Sequence, residues 1–207
     1  MIDFSSINEF KNNLCTFEEA SIDENPPKKY VTHSQLMCIN YDKGVTRNYY
    51  SALSKRLDFP NKLGRSTREK DCPKAVDSLY ITDDGEVYFI EFKINKKNTK
   101  PHEIRQKALE SLLSFMEITS LKRSEVRKFA TLIVAYGNAD EPNKYDESSK
   151  DKLYKHYTNQ KAKTPLISSN LERYKGIYFK DIITFRNHEF DSYIQEKGWT
   201  SMKPKES

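Results

Sequence analysis

The hydrophobic pattern is most informative between Ala75 and Asn95, AVDSLYITDDGEVYFIEFKIN. Tyr80-Ile81-Thr82 runs into Asp83-Asp84-Gly85, and a β-branched and aromatic run then extends from Glu86 to Ile94. This predicts a β-hairpin. Two registers compete. A two-residue Asp-Gly turn pairs Tyr80 with Phe89 and sets Asp77 opposite Phe92. A three-residue loop closed by a left-handed Gly85 pairs Ile81 with Val87 and Leu79 with Phe89, and sets Asp77 opposite Glu91. In the second register Val87, Phe89, Glu91 and Lys93 share one face with Asp77, while Tyr88, Ile90, Phe92 and Ile94 take the other.

Around this hairpin the periodicity predicts helices and strands in turn. Residues 5 to 20 carry Ile7, Phe10, Leu14 and Phe17 at helical spacing, with Ser5 or Ser6 as N-cap. Pro26-Pro27 ends that pattern, and Leu36, Cys38 and Ile39 fit a short strand or a helix fragment equally well. Asn48 to Leu57 reads as a helix, followed by a polar stretch from Asp58 to Lys74. Pro101 opens an amphipathic helix to Thr119 whose apolar side is Ile104, Ala108, Leu109, Leu112, Leu113, Phe115 and Met116. Phe129 to Tyr136, FATLIVAY, is a buried strand, parallel to the Glu91 strand after the helical crossover. Gly137 to Pro165 is polar and partly helical. Ile177 to Phe185 is a late strand or the entry to a helix, Asn187 to Glu196 a last helix, and Lys203 to Ser207 a charged tail.

The chemistry concentrates at the polar end of the hairpin. Cβ atoms of directly opposed residues lie about 5 Å apart, so Asp77 and Glu91 repel unless a cation stands between them. A hard divalent ion, Mg²⁺ or Mn²⁺, suits oxygen ligands. Lys93, one side-chain step on, could orient or activate a water or stabilise developing negative charge. The pattern D-x13-E-x-K on a hairpin resembles the PD-(D/E)xK nuclease superfamily over roughly residues 70 to 136, although Val76 stands where the name pattern has proline. The resemblance implies an α/β fold with a restriction-endonuclease-like αβββαβ core, a mixed central sheet flanked by helices. That core would span about residues 47 to 136 of a single domain, between an N-terminal helical segment (1 to 46) and a C-terminal elaboration (137 to 200). It implies that Asp77, Glu91 and the Phe92 carbonyl hold the metal, that Lys93 assists attack of water on a phosphodiester, and that products carry 5′-phosphates. It favours DNA over RNA as substrate. It also suggests a further upstream acid, with Glu69 nearest in sequence and Glu9 and Glu18 as rivals. Gln106, in IRQKALESL, would reach the site from the following helix.

The run after the hairpin adds Lys96, Lys97, Lys100, Arg105 and Lys107, a positive rim that could hold a phosphate backbone. Two other readings stand beside the DNase. One is an RNase or tRNase toxin on the same fold. The other is a non-catalytic nucleic-acid- or protein-binding module that kept the fold. A complete Asp/Glu/Lys set favours an enzyme over the module. A twofold dimer would be required for a double-strand cut at a palindrome, and no interface signature for one is visible.

Composition narrows the rest. Of 207 residues 36% are apolar and 31% charged, and the net charge of +5 permits an anionic partner without demanding one. Cys15, Cys38 and Cys72 are an odd number at unrelated spacings, which argues against zinc and against a disulfide framework and suits a reducing cytoplasm. No stretch is apolar enough to span a bilayer, and the N-terminus lacks the character of a secretory signal. The absence of GxxxxGK[ST], GxSxG and HExxH motifs leaves no sign of an organic cofactor or of those hydrolase classes. Gly176-Ile177-Tyr178 opens like a GIY-YIG signature but has too little chain after it.

Overall fold

The computed structural model describes residues 7–23, 28–56, 73–94, 101–137, 139 and 171–202. Its centre is one six-stranded mixed sheet in sequential order: β1 (Leu14–Thr16), β2 (Met37–Asn40), β3 (Ser78–Ile81), β4 (Val87–Lys93), β5 (Ala130–Tyr136) and β6 (Asp181–Arg186). Strands β1 to β4 form an antiparallel meander, and β5 and β6 continue from β4 in parallel. The helices are α1 (Asn8–Lys11), α2 (Phe17–Ala20), α3 (Arg47–Arg56), α4 (Pro101–Thr119), α5 (Arg123–Val126) and α6 (Asn187–Glu196). A π-helical turn, Tyr41–Thr46, leads into α3.

The hairpin takes the three-residue loop. Ile81 faces Val87 and Leu79 faces Phe89. Gly85 sits at φ 86°, in the left-handed region, and its N–H closes the turn on the Thr82 carbonyl at 2.9 Å. That conformation needs glycine, because a Cβ would meet the following carbonyl. The Thr82 and Glu86 backbones then join at 3.0 Å and hand the chain to β4 in register.

This register sorts β4 between two apolar clusters, one on each face of the sheet. Val87 and Phe89 pack with Leu79, Leu132 and Val134 under Ile104, Ala108, Leu112 and Phe115 of α4. Tyr88, Ile90 and Phe92 pack on the other side with Phe17, Tyr80, Ile133 and Trp199 under Phe190 and Ile194 of α6. Both faces of the central strands are thus covered, as parallel pairing requires.

Three expectations are corrected. Residues 5 to 20 do not form one helix: β1 interrupts it, because pairing Leu14, Cys15 and Thr16 with β2 satisfies their backbone and buries Cys15. A Thr16–Glu19 capping box then starts α2. The segment before residue 47, expected to be helical, therefore contributes two strands. Leu113, expected on the apolar side of α4, is 60% exposed, while Ser111 and Ser114 are buried in its place. The undecided stretches resolve as strands at Met37–Asn40 and Asp181–Arg186.

A candidate polar site at the end of the central hairpin

Asp77 stands one residue before β3, on the α4 side of the sheet, and Glu91 lies in β4. The last paired residues of the hairpin are Ser78 and Ile90, so the two carboxylates meet just past the ladder. Asp77 is fixed by the chain it faces: its Oδ2 accepts the Phe92 N–H at 2.7 Å. Phe92 thus enters the site through its N–H, and its ring packs on the opposite face against Phe17 and Phe190.

Glu91 is fully buried. Lys93 reaches back to its Oε1 at 2.5 Å. The second cation comes from α4: Lys107 Nζ lies 3.0 Å from Glu91 Oε1, 3.1 Å from Oε2 and 3.2 Å from Asp77 Oδ1. Oε1 nevertheless lacks a hydrogen bond of good geometry, so it is held by charge without being fully satisfied. A backbone frame locks α4 against the hairpin. Ser111 Oγ donates to the Lys107 carbonyl at 2.6 Å and accepts the Val76 N–H at 2.8 Å, one residue from Asp77. Tyr41, buried, donates from its hydroxyl to the Ser111 carbonyl at 3.1 Å and lies 2.9 Å from Ser114 Oγ.

Electrostatics at this spot are finely balanced. Burial, then the charge of Asp77, raises the Glu91 pKa to about 7, although Lys107 and Lys93 oppose the shift. Burial works against the charge on Lys107, but Asp77, Glu91 and Asp42 outweigh it and hold its pKa above the ordinary lysine value. Asp42, in the π-helical turn, is a third acid within electrostatic range of Lys107 and Asp77. Burial and then Asp77 raise its pKa, against Lys107, Arg47 and the Ala75 backbone N–H.

Comparison with protein-family models, with curated proteins and with solved structures returns no match.

The geometry of the site rearranges several expected roles. Asp77, Glu91 and Lys93 come together. Gln106 does not join them: it turns outward and donates to Glu110 Oε1 at 2.8 Å. One residue on a helix is a rotation of about 100°, so the position facing the sheet belongs to Lys107. Lys107 itself, expected on a phosphate-binding rim, is drawn inside by the two carboxylates. Arg105 is half-buried, with its Nε enclosed and without a hydrogen-bond partner. Glu18 is taken up by His33 and Gln35 at 2.7 and 2.8 Å, and Glu9 is exposed on α1. Glu69, Lys96, Lys97 and Lys100 lie outside the described residues. Sequence reasoning missed Asp42, whose only signal is its place just after the strand that pairs with β3.

The residues present fit a hard divalent cation. Two carboxylates, Asp77 and Glu91, meet two ammonium groups, with Asp42 in electrostatic range; Glu91 is buried with a raised pKa, and one of its oxygens lacks directional satisfaction. Among the described residues no three His, Cys, Asp or Glu side chains are close enough together to hold a metal by themselves. A Mg²⁺ ion bound by one or two carboxylates keeps several waters, and Asp77 with Glu91 offers that mode of binding.

Proposed function

We propose that the chain is a metal-dependent phosphodiesterase acting on nucleic acid, with DNA the favoured substrate, and that its αβββαβ-like core is of the restriction-endonuclease type. The observation that carries this reading is the pairing of Asp77 with the buried Glu91 beside Lys93, at the open end of a hairpin whose other strand positions, Ser78 apart, are apolar or aromatic. The order β2–β3–β4, then α4, then a parallel β5 supports the fold assignment.

In this reading Asp77 and Glu91 hold Mg²⁺ or Mn²⁺. When bound, such an ion would supply Lewis-acid polarisation of a phosphoryl oxygen and favour hydroxide over water as the attacking group. The chain's own residues do the rest. The Phe92 N–H keeps Asp77 aimed at the site. Lys93, partly exposed and paired with Glu91, would orient a water or meet charge developing on the phosphate. Lys107 keeps the two acids together when no other cation does so.

One observation favours a second reading. Lys107 bridges both carboxylates, so the cluster also works as a buried ion-pair tie between α4 and the hairpin in a non-catalytic module. Cleavage of plasmid DNA, single-stranded DNA and total RNA, each with Mg²⁺, Mn²⁺ or EDTA, separates the two. Wild type is compared with Lys93→Ala, both checked for matching thermal melts. Metal-dependent cutting that disappears in Lys93→Ala supports the nuclease and names its substrate. No cutting of any substrate, with no metal-induced change in melting, supports the module.

A further inference from the structure

Among the described residues, two grooves outside the central site bring together no built ligand set. One runs past Tyr80, Trp199 and Lys197, and the other past His33, His188 and Asp191. Two cysteines among the described residues carry a further chemistry. Cys15 in β1 and Cys38 in β2 are separated by 23 positions in the chain yet are direct cross-strand partners, both buried, with Sγ atoms 3.7 Å apart.

The geometry points to a reversible dithiol–disulfide site formed by Cys15 and Cys38, oxidised by a hydroperoxide. The register already sets the two residues opposite each other. Residues two steps to either side are joined by Phe17 N–H to Leu36 O at 3.0 Å and Asn40 N–H to Asn13 O at 2.7 Å, which makes Cys15 and Cys38 a hydrogen-bonded pair. Such pairs have Cα atoms about 5.5 Å apart, within the range a disulfide spans. Opposed Cβ atoms of a hydrogen-bonded pair lie about 5.5 Å apart, whereas a relaxed disulfide takes about 3.5–4.5 Å. Closing the sulfurs to about 2.05 Å therefore requires side-chain rotation and a local drawing together of the two strands, with no register change, and gives a strained, readily reduced bond.

The two thiols are unequal in a way that orders the chemistry. Cys15 is on the edge strand and slightly exposed, whereas Cys38, beside it in β2, is fully buried. The hydrogen bond between the two thiols, in which either can donate, lowers the Cys15 pKa against burial and Glu19, while burial raises that of Cys38. The Cys15 thiolate attacks the peroxide O–O bond, giving Cys15 sulfenic acid and an alkoxide that takes up a proton. Cys38 then attacks that sulfur and expels hydroxide, which leaves as water with the Cys38 proton. Both sulfurs are oxidised and the peroxide is reduced: two thiols and one ROOH become one disulfide, ROH and water. The link would fix β1 to β2, the strand that ends at Asn40 beside Ser78 and two residues before Asp42. In a reducing compartment such a bond is transient and responsive.

The test does not depend on nuclease activity. The full chain carrying Cys72→Ser is treated with hydrogen peroxide and measured by intact mass and by non-reduced peptide mapping. The expected result is loss of two hydrogen masses, one linked pair of peptides containing Cys15 and Cys38, and full reversal by dithiothreitol. With Cys38→Ser added, a dimedone adduct should accumulate on Cys15. Wild type treated alike should show the same link. Three results would each overturn the proposal: no oxidation at peroxide concentrations that oxidise free cysteine, direct progress to sulfinic acid at Cys15 with Cys38 still present, or a link between chains instead of within one.

Discussion

The ammonium of Lys107 straddles the carboxylate of Glu91, 3.0 Å from one oxygen and 3.1 Å from the other. Because Lys107 is on α4 and Glu91 on β4, this contact ties the helix layer to the sheet at the point where Asp77 also arrives.

Removing that ammonium leaves a buried acid short of one of its two counter-charges. Lys107→Met keeps the stem and deletes the charge, and breaking a buried pair costs about 3–5 kcal/mol. Lys93 remains beside Glu91, so the lower end is expected. The loss should be larger at alkaline pH, where Glu91 is ionised, than at mildly acidic pH, where it takes up a proton. Urea melts at the two pH values measure both. Equal loss at each would mean that the stem, not the charge, is what Lys107 contributes.

Glu91 also sets a pH dependence with a definite sign. Its pKa rises on folding from 4.5 to about 7, so between those values the folded chain binds more protons than the unfolded one. Its contribution to stability is therefore fully present below about pH 4.5 and lost as pH rises through about 7. At about 1.4 kcal/mol per pKa unit, the loss is up to about 3 kcal/mol. Glu91→Gln cannot titrate, so the stability of wild type relative to this variant should fall across that window. A constant difference from about pH 5 to 8 would show that Glu91 has an ordinary pKa.

Ser111→Ala probes the frame instead of the charges. The substitution leaves the Val76 N–H buried without its acceptor, at a cost of about 1–3 kcal/mol. Val76 directly precedes Asp77, so hydrogen exchange at the Val76 and Asp77 amides should accelerate more than at β5. Uniform acceleration would mean that Ser111 matters only to global stability.

The hairpin was legible in the sequence because its determinants are local. Asp83-Asp84-Gly85 announces the turn but fits two loops, and the structure takes the three-residue one that sets Asp77 opposite Glu91. The helix-borne half of the site was not, for a reason visible in α4. Periodicity counts Leu113 as core and Lys107 as surface, yet Leu113 is exposed and Lys107 largely enclosed. A lysine goes inside only when acids from elsewhere in the chain await it, and the helix sequence alone does not contain that information. The same holds for β1. Ile7, Phe10, Leu14 and Phe17 keep helical spacing, but the partner that makes Leu14–Thr16 a strand lies more than twenty residues away. Cys15 and Cys38 looked unrelated in spacing for the same reason.

Metal binding, if Asp77 and Glu91 are its seat, must remove the proton that Glu91 carries below about pH 7. Affinity for Mn²⁺ should therefore rise with pH up to about neutrality and then level off, with proton release on binding at about pH 6 and almost none above about pH 8. Titration calorimetry in two buffers of different ionisation enthalpy counts those protons directly. Asp77→Asn and Glu91→Gln should each abolish the heat of binding and the metal-induced rise in Tm, while Gln106→Ala, whose side chain points away to Glu110, should leave both unchanged. Lys107→Met should bind Mn²⁺ more tightly than wild type, because the ion no longer competes with a resident ammonium for the same oxygens. Unchanged affinity in that variant would place the ion elsewhere, and loss of binding in Gln106→Ala would restore that residue to the site.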